Sequence, residues 1–290
     1  MKKILSLCVI LLLSNSIFAK KLVLTSIQPT YAIAKELTKG TSIKIESVFT
    51  SGVSMDMARE AMGGEDFIEP KEKADAVIDI SRIWIDDNLF EKIRQKNIRT
   101  VEIDASYPFN NEQSTLFFIY DKKGKVIPYV WMGSKNLIKL ASVITNDLST
   151  LYPKDKKRLE KNLVKFYEKT LKIEKEGNEA FLECEKAEVI CLSSNIKYFL
   201  NDFNIYAEEM DPKYVNVESV AEIMENKDIK VFVSDRWLKK KVIKAIKAAG
   251  GSFVVLDTLN IPIDKNGKMD ENAIWKSYEH NIEVLKKALK

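Results

Sequence analysis

The chain has 290 residues, 46% of them hydrophobic and 30% charged, an ordinary globular composition with length for two domains of about 100–200 residues each. Lys and Arg number 46 against 42 Asp and Glu, and residues 1–19 hold two of the Lys and no acid, so the net +4 falls to +2 (four minus two) for the remainder. That bias excludes an electrostatic argument for nucleic acid or a membrane surface as partner.

Residues 1–19 read as a separate object. Lys2 and Lys3 are followed by an apolar run from Ile4 to Leu13 and a more polar exit ending at Ala19. This is the pattern of a secretory signal peptide, cut after Ala19 and too short to span a bilayer. Cys8 lies inside the apolar run and not after it, so no lipid anchor is expected there. The mature protein is expected to be soluble, exported and periplasmic. Export permits disulfides, and Cys184 and Cys191 remain; two unlinked thiols and a local disulfide both fit their spacing. With no CxxC and a single His, His280, a Cys-based zinc site is excluded. His280 itself is placed away from any ligand site, on the surface or in a seam.

From Lys21 the elements alternate. Lys21–Ser26 is a strand, residues 31–37 a helix closed by Gly40, and Ile43–Phe49 a second strand. A helical segment is expected around 56–70. Strands at Asp75–Ile80 and Thr100–Ile103 bracket a helix at Leu89–Gln95. A Lys-Lys-Gly-Lys turn at 122–125 leads into Ile127–Asn136, the expected floor of a cleft, with Tyr129 facing the ligand. A helix follows at Lys135–Leu148, and Tyr152-Pro153 breaks it. Lys154–Glu176 then holds no Gly or Pro, and Leu159, Leu163, Phe166, Thr170 and Ile173 recur at helical steps, predicting a helix about 35 Å long. The second half repeats the order: strands at Glu188–Leu192, Ile205–Ala207, Lys230–Ser234 and Ser252–Leu256, helices at Asn195–Asn201, Val217–Asn226, Leu238–Ala249 and Asp270–Leu289. Strand-helix alternation predicts parallel sheets, which bind ligands beyond the carboxyl ends of their strands.

Several segments, taken together, carry a resemblance. They are Leu24-Thr-Ser-Ile-Gln-Pro-Thr-Tyr31, Pro128-Tyr-Val-Trp-Met132, Asp147 to Phe166, Ser193 to Phe199, Phe232-Val-Ser-Asp-Arg236, Gly250-Gly251, Leu256-Asp257 and the final Tyr278, Asn281 and Leu285. In order and spacing the chain resembles the substrate-binding proteins of ABC importers for zinc and manganese, over most of residues 22–289. The resemblance implies an α/β fold of two lobes, each a mostly parallel sheet flanked by helices, joined by one long backbone helix. The implied division is 1–19 signal peptide, 20–133 N-terminal lobe, 134–183 helical region with the long helix, and 184–290 C-terminal lobe.

That family holds a metal with four side chains, two per lobe: His, His, His or Glu, and Asp. Carried over, the first position falls at Asp56 (Met55 if the frame slips by one), the second at Tyr129, the third at Ser193 or Ser194, and the fourth at Asp257. Only the Asp is kept. A set of Asp56, Tyr129, Ser193 and Asp257 offers oxygen alone. It suits hard cations such as manganese or iron better than zinc, which prefers nitrogen and sulfur. An ionised Tyr129 would favour ferric iron. Arg82, Trp84, Trp131, Asp235, Arg236 and Trp237 stand at strand ends where they can line a pocket.

The implied function is an extracytoplasmic solute-binding protein that captures a metal ion between its lobes and delivers it to the permease subunits of an ABC importer, working as a monomer. A metal chelate or small organic ligand, or an adhesin-like surface protein that has lost the metal, are the alternatives. The chain is not expected to be an enzyme. It has no Gly-x-Ser-x-Gly elbow and no phosphate loop, and nothing places a nucleophile between Asp56 and Asp257.

Overall fold

The computed structural model describes residues 21–49, 53–109, 115–260 and 269–290. The expected signal peptide lies outside these residues. Among them, no helix is long and apolar enough to cross a membrane.

The first half runs β1 (Lys21–Thr25), α1 (Gln28–Leu37), β2 (Ile43–Ser47), α2 (Ala58–Ala61), β3 (Ala76–Asp79), α3 (Leu89–Lys96) and β4 (Val101–Asp104). All strands are parallel, in the order β2-β1-β3-β4. Two helices follow, α4 (Ser134–Leu151) and α5 (Lys156–Leu182). The second half runs β5 (Glu188–Cys191), α6 (Lys197–Asp202), β6 (Tyr206–Glu209), α7 (Val220–Lys227), β7 (Val231–Ser234), α8 (Lys240–Ala248), β8 (Ser252–Val255) and α9 (Ala273–Leu289). Its sheet is again parallel, in the order β6-β5-β7-β8. Two parallel four-stranded sheets flanked by helices, with one long helix between them, form the two-lobed α/β fold.

The strands are short and buried on both faces, as parallel sheets between helices must be. Side chains alternate between cores: Val23 and Ile78 join one apolar cluster, Leu22, Leu24 and Val77 another. In the second sheet Val189 and Val233 face the first cluster while Ile190 and Phe232 face a third. The first cluster therefore runs unbroken from the inner face of one sheet, through α4, α5 and α9, to the inner face of the other.

Three expectations need adjustment. The segment 56–70 is not one helix. A 3₁₀ turn at Met55–Met57 and the single turn of α2 end at Gly63-Gly64, and Phe67 then pairs antiparallel with Phe49. The long helix runs past its expected end to Leu182, straight through Gly177. Cys184 and Cys191 are free thiols, so the local disulfide is not formed; the Cys191 thiol donates to the Ser193 carbonyl at 3.1 Å.

Candidate functional site at the seam of the lobes

Residues 127–132 are stitched to the second half of the chain. The Ile119 N–H donates to the Tyr198 hydroxyl (2.9 Å), which donates to the Ile127 carbonyl (3.0 Å). The Trp131 indole N–H donates to the Thr258 carbonyl, and the Tyr278 hydroxyl donates to the Trp131 carbonyl, both at 3.0 Å. Trp84 packs edge-on to Tyr129 at 5.1 Å and stacks on Trp131 at 6.1 Å. These three rings pack together as a buried aromatic cluster, and none of them lines the neighbouring cleft.

The carboxyl ends of β7 and β8 meet the loop after β2. They enclose a cleft of about 520 Å³, lined among others by Asp56, Asp235, Arg236, Trp237, Asp257 and His280. This is where an open parallel sheet exposes its strand ends to ligands. The Asp56 loop is held from the opposite lobe. The Met55 N–H donates to both the carbonyl (3.0 Å) and the side-chain Oδ1 (2.8 Å) of Asn260. Asn260 Nδ2 donates to Asp56 Oδ2 at 3.2 Å. The guanidinium of Arg236 reaches the same oxygen at 2.5 Å, and its Nε lies 4.0 Å from Asp235. Asp235 in turn accepts from Asn195 Nδ2 at 2.7 Å, linking the loops after β5 and β7.

Asp257 sits in a turn fixed on every side. Its Oδ1 accepts from the Leu259 N–H at 2.9 Å, and its backbone exchanges hydrogen bonds with the Asn281 side chain at 2.7 and 2.8 Å. Leu259 takes φ +62°, a left-handed conformation that a non-glycine residue holds only when its surroundings impose it. Burial raises the Asp257 pKa above the usual carboxylate value; the Leu259 N–H, His280 and Ser277 pull against that.

Tyr129 is 2% exposed, and its hydroxyl has no hydrogen-bond partner among the described residues. Burial drives its pKa well above the ordinary tyrosine value. The charges of Asp56 and Asp235 add to that shift and Arg236 opposes it. The phenol is therefore neutral here, and the phenolate expected for ferric iron does not form without a cation beside it.

The four carried-over positions are only partly brought together. Asp56 and Asp257 share the cleft; Tyr129, expected to face the ligand, does not line it but lies within electrostatic reach of Asp56. Ser193 stands apart. Its hydroxyl accepts from the Asn195 N–H at 3.3 Å, starting the 3₁₀ turn Ser194–Ile196, and it lines a separate recess of about 260 Å³ with Lys122, Lys197 and Glu209. Among the described residues no group of three or more His, Cys, Asp or Glu is arranged to hold a metal. His280, expected away from the site, lines the cleft near Asp257, because the exposed face of α9 passes the end of β8. Of the residues proposed as pocket lining, Asp235, Arg236 and Trp237 are in the cleft; Arg82 instead lies over the Tyr107 ring at 4.7 Å. Ser54, Asn260 and His280 line the cleft without having been singled out for it by the sequence.

A family model described as "Zinc-uptake complex component A periplasmic" (ZnuA) matches residues 23–288. The zinc-binding lipoprotein AdcA of Streptococcus pneumoniae is 22% identical over 286 residues, covering 91% of this chain and 55% of AdcA. The chain thus spans about half the length of that relative. The manganese ABC transporter substrate-binding lipoprotein PsaA of Streptococcus mitis is 31% identical over 87 residues, 29% of this chain and 28% of PsaA. Among solved structures, an FpvC mutant from Pseudomonas aeruginosa superposes with a TM-score of 0.74 at 13% identity, over 92% of this chain and 98% of that one. Zn(II)-bound AdcA from Streptococcus pneumoniae gives 0.69 at 19% identity, over 93% of this chain and 58% of that one. At these identities the superpositions speak for the fold, and the family match speaks for descent: the chain belongs to the ZnuA family.

Proposed function

We propose that the protein is an extracytoplasmic receptor that captures a metal cargo in the seam cleft and passes it to the permease of an ABC importer. One observation carries this reading. Asp56 from the first half of the chain and Asp235 and Asp257 from the second line one cleft with a single guanidinium, a surplus of two formal negative charges (three minus one), although among the described residues they are not grouped as a ready ligand set. Such a surplus draws a cation. The carboxylates and the neutral phenol of Tyr129 offer oxygen, which favours manganese or iron over zinc. Asp56, Tyr129 and Asp257 are the proposed cargo contacts, joined by Asp235; Ser193 lines a separate recess. Relatives named for zinc and for manganese support metal as the cargo class and leave its identity to experiment.

The test is metal retention. Dialysed protein is loaded separately with Mn(II), Fe(III) and Zn(II), desalted, and analysed for metal content and melting temperature. We expect one equivalent of manganese or iron and a raised melting point, with Asp257→Ala weakening binding at least tenfold. Absence of retained metal together with an unmoved melting point would sink the proposal.

A second reading is favoured by Arg236 and by Trp237, which is 76% exposed at the cleft. A cation and an aromatic face suit an organic ligand, so a metal chelate is the alternative cargo. Delivery outside the cytoplasm also bears on anchoring. The relatives are named lipoproteins, which speaks for a lipid anchor and against the expectation, drawn from the place of Cys8, that there is none. Mass analysis of the protein extracted from membranes decides between the two.

A further inference from the structure

The two sheets end in four edge strands, β2, β4, β6 and β8. An edge strand is a template for another chain unless something blunts it, most simply charged side chains. β2 carries Lys44 and Glu46, paired with each other. β4 carries Glu102 and Asp104, and β6 carries Glu208 and Glu209, held by Lys227 and Lys197. β8 is Ser-Phe-Val-Val, with no charge on it.

This unguarded edge is also open. The Ser252 and Leu256 N–H groups donate to the Lys230 and Ser234 carbonyls at 2.9 and 2.8 Å. Amides alternate in direction along a strand, so those of Phe253 and Val255 point away from β7, and they meet no partner among the described residues. The edge is the floor of a groove of about 530 Å³. Trp237 and Lys247 stand on one wall, Val284, Lys287 and Ala288 of α9 on the other. Trp237 is 76% exposed and packs against the Phe253 ring at 6.0 Å. The groove meets the seam cleft at Trp237, Val255 and His280, which line both. Lys287 lies two turns beyond His280 on α9, about 10 Å away along the axis. Lys247, in the last turn of α8, precedes the start of β8. The end far from the cleft is therefore cationic, and no carboxylate lines the groove.

We infer that this groove receives an extended apolar segment of a partner protein, ending in a carboxylate, as a fifth strand of the second sheet. Each part of that occupant answers a feature of the groove. The outward amides of Phe253 and Val255 are met by backbone carbonyls, which a peptide has and a hydrocarbon chain lacks. Trp237, Phe253 and Val284 are met by apolar side chains. Lys247 and Lys287 are met by the carboxylate. A carboxyl terminus at the lysines makes the added strand antiparallel to β8. A second copy of this chain does not fit. Its own β8 is recessed between the same walls, and two recessed edges cannot approach to the strand spacing of about 4.8 Å. The inference is independent of what the seam cleft holds and stands or falls apart from the metal reading.

The test is fluorescence polarisation on the full chain. The probe is a labelled heptapeptide of alternating Val and Thr with a free carboxyl terminus. We expect saturable binding, weakened at least tenfold by amidating that terminus or by Lys247→Glu combined with Lys287→Glu. N-methylating one alternate set of probe residues should abolish binding and methylating the other should not, because only one edge of the added strand meets β8. Val255→Pro removes an outward N–H, spares the ladder to β7, and should weaken binding at least tenfold with the melting temperature unchanged. Binding indifferent to both methylated probes would be capture of an amphiphile and would overturn the added strand. Lack of saturable binding up to millimolar probe overturns the inference outright. So does a dimer in sedimentation that Val255→Pro dissolves, since the occupant is then a second copy.

Discussion

In the N-terminal lobe, Ser26 follows β1 and Asp87 follows β3, and the serine hydroxyl donates to Asp87 Oδ1. Asp87 is 1% exposed and the neighbouring Asp79 fully buried; each leaves its second oxygen unpartnered among the described residues. Burial pushes the Asp87 carboxyl up to about 7, with Asp104 adding to it and the Ser26 hydroxyl and the Ile80 and Leu89 backbones pulling back; Asp79 is likewise driven well above the usual carboxylate value by burial, by Asp87, Glu102 and Asp104. An acid whose folded pKa is raised keeps its proton in the fold after the unfolded chain has lost it. The folded state then binds more protons than the unfolded one from about pH 4 to pH 7, and stability falls as pH rises across that window. Asp87→Asn removes the titration. It should melt higher than wild type at pH 8, by on the order of a few kcal/mol in stability, with the gap closing at pH 5. An equal gap at both pH values in thermal melts would count against this account.

At the same scale, the positions taken from the order of motifs fall in different places. Asp56 and Asp257 line the seam cleft, Tyr129 is buried within electrostatic reach of Asp56, and Ser193 lines a separate recess, where it caps the turn at Asn195. His280 and Asn260 were illegible in the sequence. Their place depends on how α9 and the loop after β8 lie against the other lobe, and no local pattern encodes that.

Among the elements, the strands were legible because burial on both faces gives each a short, continuous apolar run between turn residues. The long helix was underestimated at its end because Gly177 reads as a stop. Its role is spatial. A Cβ there would lie 2.3 Å from the Phe203 ring and 3.0 Å from Ile282, so only glycine lets α5 pass this close to the loop after α6 and to α9. Gly177→Ala should destabilise by about 1–3 kcal/mol despite the better helix propensity of alanine. Urea denaturation measures it, and an unchanged or raised midpoint would refute the packing account. Elsewhere α5 is tied down by Asn162, whose amide donates to the Leu37 and Lys39 carbonyls, both at 2.8 Å, closing the end of α1. The helix is a frame on which both lobes are built, and its rigidity comes from such contacts.

For the whole molecule, one continuous core joins the inner faces of the two sheets, and the hydrogen bonds Trp131–Thr258, Tyr278–Trp131 and Met55–Asn260 cross between the halves. A fold so joined should not open like a hinge around an empty cleft. The radius of gyration from solution scattering should therefore change little between metal-free and metal-loaded protein. A change of several ångströms would show that the lobes part after all. Parallel topology was legible from the alternation of elements; the spatial order of the strands was not. The shared core was not, since apolar residues look alike whichever lobe they serve.

The Asn260 clasp on Met55 joins residues 205 positions apart. The first half of the chain carries Asp56, but the second half sets its position. As the chain is made, the first sheet can pair its strands early, while the cleft stays unassembled until the loop after β8 has followed. The cleft is thus the last feature to form, and a chain truncated before residue 260 would lack the clasp that sets the Asp56 loop.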